Sequence, residues 1–303
     1  MSAANEVTAG PIRRVGFIGT GLMGVPMVRR LLAGGFAVRL WNRTPEKLRG
    51  LLAAGATQAD SPAAAADGAD AICLCLANAA ATEAVVFGDR GVASARAAAP
   101  VLVDFSTIGP KRTLQFAARL RERSSTSWVD APVSGGATGA AQGKLVIFCG
   151  GAAADIDRLG PLFAALAQRV TRVGTQGTGQ TLKLCNQLIV ASSLVAIAEA
   201  LTLASANGLD PKLLPDALTG GFADSIPLQI FGRRMASRSH DPKLGELSLM
   251  LKDLDAVDEL AEERALRLPL AAAALAVYRR AGREGLLKED LSALIALYAP
   301  ETT

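Results

Sequence analysis

Residues Val15 to Gly24 read VGFIGTGLMG, and this stretch decides the fold. Val15 to Ile18 is a short apolar run ending at a glycine, the pattern of a buried strand. Met27, Leu31 and Leu32 follow at helical spacing. Between them, Gly19, Gly21 and Gly24 form a GxGxxG. In a strand–loop–helix unit each glycine has a physical task. Gly19 makes the tight turn, Gly21 lets the backbone approach a pyrophosphate, and Gly24 packs the helix on the strand. The helix start then offers N–H groups to the phosphates. A glycine triplet alone is weak; its place between a strand and a helix gives it weight.

Working outward, Gly34-Gly35 closes that helix and Ala37 to Trp41 reads as a second strand. An NAD site usually has a carboxylate at this strand's end for the ribose hydroxyls; here stand Asn42, Arg43 and Thr44. Nothing there repels a phosphate and Arg43 can pair with one, so NADP is expected over NAD. The plain alternative is a surface arginine in a loop, with Thr44-Pro45 opening the next helix.

Ala71 to Leu76 (AICLCL) and Val101 to Asp104 are further buried-strand patterns. In a doubly wound sheet, ligands gather at the carboxyl ends of strands. Leu76, Asn78, Ser106 and Thr107 are therefore candidate neighbours of cofactor or substrate, although Asn78, Ser106 and Thr107 could equally cap helices. Trp128-Val129 leads into Asp130-Ala131-Pro132-Val133-Ser134-Gly135-Gly136. A hydroxyl followed by two glycines can form an N–H nest for a carboxylate, or simply a turn. Leu145 to Cys149 and Val170 to Val173 read as strands around a helix from Ala153 to Ala167.

Gly177 to Ala206, GTGQTLKLCNQLIVASSLVAIAEALTLASA, is one long apolar helical segment. An all-round apolar helix is expected to be buried on all sides. Lys183, Asn186 and Gln187 lie three and four residues apart and so share a face. A lysine there is costly unless it meets an anion or releases its proton readily, which suits an acid/base lysine with a pKa lowered by burial. The alternative is a lysine whose stem packs while its head reaches water. The segment is long enough to span a membrane, but Asn186, Gln187, Ser192, Ser193 and Glu199 interrupt it. Beyond Pro211 only helical patterns follow: Lys212–Leu218, Ile226–Met235, Glu246–Arg264, Pro269–Arg280 and Leu291–Tyr298. Lys252-Asp253 is a charged pair within one of them, a pattern that is usually a solvated face.

Composition narrows the class. The 303 residues are half hydrophobic, with 32 basic and 28 acidic residues and a net charge of +4. The basic pairs are scattered, so no nucleic-acid surface is expected. Cys73, Cys75, Cys149 and Cys185 all lie in apolar stretches without a CxxC. They read as buried thiols of a cytoplasmic protein. The lone histidine, His240, sits in a polar loop, so no metal site is expected. The start, MSAANEVTAGPIRR, has no apolar h-region and reads as a loose tail, not a signal peptide.

Four pieces occur in one order: VGFIGTGLMG, DAPVSGG, GTGQTLKLCNQ and LMLKDLDA. Together they resemble the β-hydroxyacid dehydrogenase family, from about Arg14 to Tyr298. The resemblance implies an α/β Rossmann domain over residues 12–175, an interdomain helix over 176–206 and an all-α domain over 207–300. It implies that Gly19, Thr20, Gly21, Leu22, Met23 and Gly24 line the cofactor pyrophosphate. Asn42, Arg43 and Thr44 would face the adenosine ribose, with Thr107 near the nicotinamide and Leu76 and Asn78 beside the cofactor. Ser134, Gly135 and Gly136 would hold a substrate carboxylate. Lys183 would be catalytic with Asn186 beside it. Lys252 would reach toward the bound ligands.

The implied activity is NADP-dependent, with NAD as the alternative. It interconverts a small hydroxy acid with its semialdehyde or keto acid in a homodimer or homotetramer. Asp241-Pro242-Lys243-Leu244 departs from the family pattern, which often has glycine and phenylalanine after the proline, so it bears on substrate shape. Imine reductases share the architecture and a similar WNRTP signature but generally lack the lysine. A non-catalytic module would be expected to lose Lys183 or Ser134, and both are present.

Overall fold

The computed structural model describes residues 11–97 and 100–298. The stretch before residue 11, expected to be a loose tail, and positions 299 and 300 of the expected helical domain lie outside the described residues.

The described strands are β1 Arg14–Ile18, β2 Ala37–Trp41, β3 Thr57–Gln58, β4 Ala71–Leu74, β5 Val101–Asp104, β6 Ser127–Asp130, β7 Val133–Ser134, β8 Leu145–Gly150 and β9 Ala167–Gly174. They form one sheet in the order β3-β2-β1-β4-β5-β6-β8-β7, with β9 beside β8. From β3 to β6 every pairing is parallel. β8 then runs antiparallel to β6 and β7, and β9 parallel to β8. The strand order reverses between β1 and β4, which opens a crevice at their carboxyl ends, where a doubly wound sheet binds its ligand.

The sheet's sequence shows why it is covered on both faces. Phe17, Cys73, Val101 and Val103 point into one core cluster. Their neighbours Ile18, Ile72, Leu74, Leu102 and Trp128 point into the other. A strand apolar at every position can be buried only if helices lie on both sides. Gly16 belongs to this packing: a Cβ there would lie 2.3 Å from the Ala65 carbonyl oxygen.

Several elements differ from the sequence reading. β4 ends at Leu74, so Cys75 and Leu76 belong to the following loop. The helix expected over Ala153–Ala167 is two, Ala153–Arg158 and Gly160–Leu166, broken at Gly160-Pro161. A proline lacks the N–H that a continuous helix needs and is tolerated only in a first turn. The last strand is longer than Val170–Val173, and the last helical run, Leu291–Leu297, is 3-10 rather than α.

The chain divides into compact units after Lys183, so the boundary falls inside the long helix Thr178–Ala206. The described part of the second unit is helical, with its longest helices after the shared one at Leu247–Glu262 and Pro269–Arg283. Its core gathers Leu194, Ala198, Leu201, Leu254, Tyr278 and Leu294. Two expectations about the long helix need correcting. It is not buried on all sides: Ile189 and Leu203 are each 67% exposed. Cys185 on the same helix is exposed too, so not every thiol is buried; all four cysteines are free. The helix packs its unit with Ala191, Leu194 and Ala198 and leaves another stripe uncovered within one chain.

Candidate active site

The fingerprint loop follows β1 directly. Gly19 has φ +100, and a Cβ there would lie 2.3 Å from the Cys75 carbonyl oxygen, so the turn requires glycine. A Cβ on Gly24 would lie 2.0 Å from the Gly19 carbonyl oxygen, so the helix can sit this close to the loop only with glycine there. Gly21 is the opposite case: nothing lies within 4 Å of a Cβ built on it. The space it leaves is on the open side of the loop, where a pyrophosphate would approach. The Thr20 hydroxyl is buried with no hydrogen-bond partner among the described residues. The loop therefore fits a dinucleotide: a bare backbone facing open space, helix N–H groups behind it and a waiting hydroxyl. Leu22 is exposed and Met23 half-buried on the same turn.

Asn42, expected to face a ribose, is engaged within the chain. Its Oδ1 accepts the Thr20 N–H at 3.1 Å, and its Nδ2 donates to the Thr44 carbonyl at 2.9 Å. The amide thus ties the fingerprint loop to the loop after β2. With both ends engaged, the exposed Arg43 is the charged group of this loop.

The loops after β4 and β5 lie alongside. Leu76 N–H donates to Ser106 Oγ at 2.9 Å, and Ser106 N–H donates to Asp104 Oδ1 at 2.9 Å. Thr107 is half-buried in the next position. Asn78 is a helix cap, its Oδ1 accepting the Ala81 N–H at 2.9 Å. Ser106 caps no helix; the cap before Pro110 is Gly109. Ser134 ends β7, paired with Val146 of β8, and Gly135 and Gly136 have φ of 122° and 61°. No side chain crowds Gly136: nothing lies within 4 Å of a Cβ built there.

Lys183 is 8% exposed, at the second turn of the long helix. Two buried residues fix that turn against the sheet, and neither was singled out from sequence. Asp130, fully buried at the end of β6, accepts Gly177 N–H at 2.8 Å and Gln180 N–H at 2.9 Å. Gly150 and Gly179 make room for it, since a Cβ on either would lie within 2.8 Å of its carboxylate. Burial pushes the Asp130 carboxyl up to about 6, against the pull of these backbone donors. Gln180, also fully buried, accepts Ile108 N–H and Gly109 N–H at Oε1 (3.1 and 3.2 Å) and donates from Nε2 to the Ser106 carbonyl at 2.8 Å. These contacts join positions 47 to 74 residues apart, so no local pattern reveals them.

The helical unit brings a second group together. Asp253 is 5% exposed, not the solvated residue its pattern suggested. Gln187 Nε2 donates to its Oδ2 at 2.6 Å, and Lys252 Nζ lies 3.1 Å from its Oδ1. Asn186 Nδ2 donates to Gln187 Oε1 at 3.0 Å. The amides after Lys183 are thus part of a half-buried polar chain ending on the buried Asp253 carboxylate.

A doubly wound sheet with an intact pyrophosphate loop at its switch point, and a buried lysine on a helix anchored to that sheet, define an NAD(P)-dependent oxidoreductase. Two family models cover the chain: the NAD-binding domain of 6-phosphogluconate dehydrogenase over residues 14–174, and the NAD-binding domain of NADP-dependent 3-hydroxyisobutyrate dehydrogenase over residues 177–298. The chain is 36% identical to 2-hydroxy-3-oxopropionate reductase of Escherichia coli K12, over 93% of this chain and 96% of that one. It is 32% identical to NAD-dependent L-serine dehydrogenase of Pseudomonas aeruginosa, over 95% and 99%. The crystal structure of 3-hydroxyisobutyrate dehydrogenase from Salmonella typhimurium matches with a TM-score of 0.86 at 32% identity, over 94% and 100%. An imine reductase from Streptomyces aurantiacus shares the fold at 22% identity and a TM-score of 0.61, covering 95% of this chain. The chain belongs to the β-hydroxyacid dehydrogenase family.

Proposed function

We propose that this enzyme uses NADPH in preference to NADH to reduce a small aldehyde or keto acid to the hydroxy acid, and the reverse. Lys183 is the acid/base. The observation that carries the reading is Lys183 itself, buried on a helix turn that Asp130 and Gln180 lock to the cofactor-side loops. A bound nicotinamide supplies the hydride. The residues of the chain do the rest.

Gly19 to Gly24 would hold the pyrophosphate, and the Thr20 hydroxyl, without a partner among the described residues, would be available to it. Arg43 pairs with the 2′-phosphate, and the absence of a carboxylate at this strand end removes the usual repulsion. Thr107 would lie by the nicotinamide, with Leu76 and Asn78 on the cofactor side. Ser134, Gly135 and Gly136 anchor the substrate carboxylate, which fixes the distance over which hydride moves. As the carbonyl carbon accepts hydride, its oxygen gains charge and takes a proton from Lys183 Nζ; oxidation returns that proton. Asn186, three residues further along the same helix, orients the oxygen.

We also propose a homo-oligomer in the cytoplasm. The uncovered Ile189 and Leu203 stripe of the long helix favours burial against a second copy rather than in a membrane, and four free cysteines suit a reducing compartment. The long helix is apolar and long enough to cross a membrane, but Glu199, Asn186 and Gln187 lie within it.

Lys183→Ala tests the central assignment. It should bind NADPH within about threefold of wild type by fluorescence titration, while kcat falls roughly 100- to 10,000-fold. Wild-type turnover by this variant would remove the lysine from the mechanism.

A further inference from the structure

We propose that Gln180 is a positioning residue for Lys183, a proposal that rests on the acid/base reading of that lysine. Gln180 precedes it by three residues, about 4.5 Å along the helix axis and on the same side. Three bonds of its amide go to one loop: Oε1 takes two N–H groups, from Ile108 and Gly109, and Nε2 gives to the Ser106 carbonyl. Two donors and one acceptor in fixed places allow only one orientation of the amide. That loop holds Thr107 at the carboxyl end of β5, and Ser106 Oγ in turn takes the Leu76 N–H from the loop after β4. One buried side chain therefore connects the lysine's helix turn to both loops at the cofactor crevice.

Asp130 completes the arrangement by accepting the Gln180 N–H, so the residue is held at its backbone and at its tip. A buried amide is costly unless it is hydrogen-bonded, and the three bonds made here all go to backbone of the Ser106–Gly109 loop rather than to other core groups. Gln180 thereby sets the distance between the lysine's turn and the Ser106–Gly109 loop. Distances of this kind govern turnover: an error near 1 Å costs on the order of 100-fold.

Gln180→Glu is the discriminating variant. When protonated, the introduced carboxyl can accept from Ile108 and Gly109 and donate to the Ser106 carbonyl, as the amide does. When ionised, it turns an acceptor onto that carbonyl. Its kcat for an aldehyde acid should therefore lie within about threefold of wild type at low pH. It should fall roughly 10- to 100-fold through a break that the wild-type profile lacks. KM and NADPH affinity should stay within about threefold. Gln180→Leu, which keeps the volume but none of the bonds, should lose kcat at every pH.

The proposal is overturned if Gln180→Leu keeps wild-type kcat, or if the glutamate variant shows no pH break of its own. It is overturned too if either loss merely follows the fraction of folded protein seen by circular dichroism. Wild type and Lys183→Ala are assayed in parallel: an active Lys183→Ala defeats the acid/base reading, whereas an inactive one beside normal Gln180 variants defeats only this inference. Should no aldehyde acid turn over, the Lys183 Nζ resonance in lysine-labelled protein, assigned by its loss in Lys183→Ala, reads the position directly. A shift in Gln180→Leu supports the proposal and an unchanged resonance overturns it.

Discussion

Arg43 stands exposed beside an asparagine whose two polar ends are already engaged within the chain. It is the group left to read a 2′-phosphate, and a charge-assisted bond of that kind is worth about 1.5–3 kcal/mol. Arg43→Ala should therefore weaken NADPH binding roughly 10- to 100-fold and leave NADH within about threefold, measured by calorimetric titration. An equal loss for both cofactors would give Arg43 no part in selectivity. At this scale the sequence was unevenly legible. The glycines could be read because each carries a steric demand that no other residue meets, and Gly19 and Gly24 meet backbone within 2.3 Å. Lys183 could be read because an ammonium in a greasy helix is conspicuous. Asp253 was misjudged, because its partner Gln187 lies 66 residues away and a Lys-Asp pair usually points to water.

Among the elements, the long helix depends most on remote contacts. Its first turn is capped by Asp130, a buried carboxyl pushed up to about 6 by burial. The ordinary carboxyl value is 3.8, so the folded chain holds this proton more tightly than the unfolded one. The stabilisation belongs to the protonated form: it is complete below about pH 4, declines as pH rises to about 6, and is absent above. The change is on the order of 3 kcal/mol. Asp290 has the opposite sign. Burial raises it, but Ser292, the Leu244 N–H and Arg234 together bring it below the ordinary value, so its contribution is lost as the medium becomes acid. The two are separated by difference. Urea midpoints of wild type and Asp130→Asn from pH 4 to 7 should differ by an amount that falls with pH for wild type relative to the variant. A constant difference would show that Asp130 does not titrate in this window. Strands β2 and β5 could be read to the residue and β1 to within one, since apolar runs closed by glycine or a polar turn leave little freedom. The split near Pro161 and the 3-10 end were lost because periodicity reports which face is apolar, not whether every backbone bond is made.

For the whole molecule, the boundary between two compact units falls within one helix, and the family is shared over nearly the full chain. That the sheet is parallel from β3 to β6 follows from the alternation of strands with helices; the strand order and the short strand β3 were not legible in the sequence. The helix's uncovered stripe could not be foreseen, because an apolar residue looks the same in a sequence whether its own chain or another covers it. Substrate size stays outside what pattern reports. Leu244, in the segment that departs from the family, is pinned through its N–H to Asp290 at 2.6 Å, a contact made with the far end of the chain.

The most direct measurement is nicotinamide absorbance with NADPH and with NADH against glyoxylate, succinic semialdehyde, tartronate semialdehyde, methylmalonate semialdehyde and a cyclic imine. The account predicts consumption of NADPH, faster than of NADH, with at least one aldehyde acid and none with the imine. Turnover of the imine alone would contradict it, because no substrate carboxylate would then need Ser134 and Lys183 would be left without its proton-transfer role.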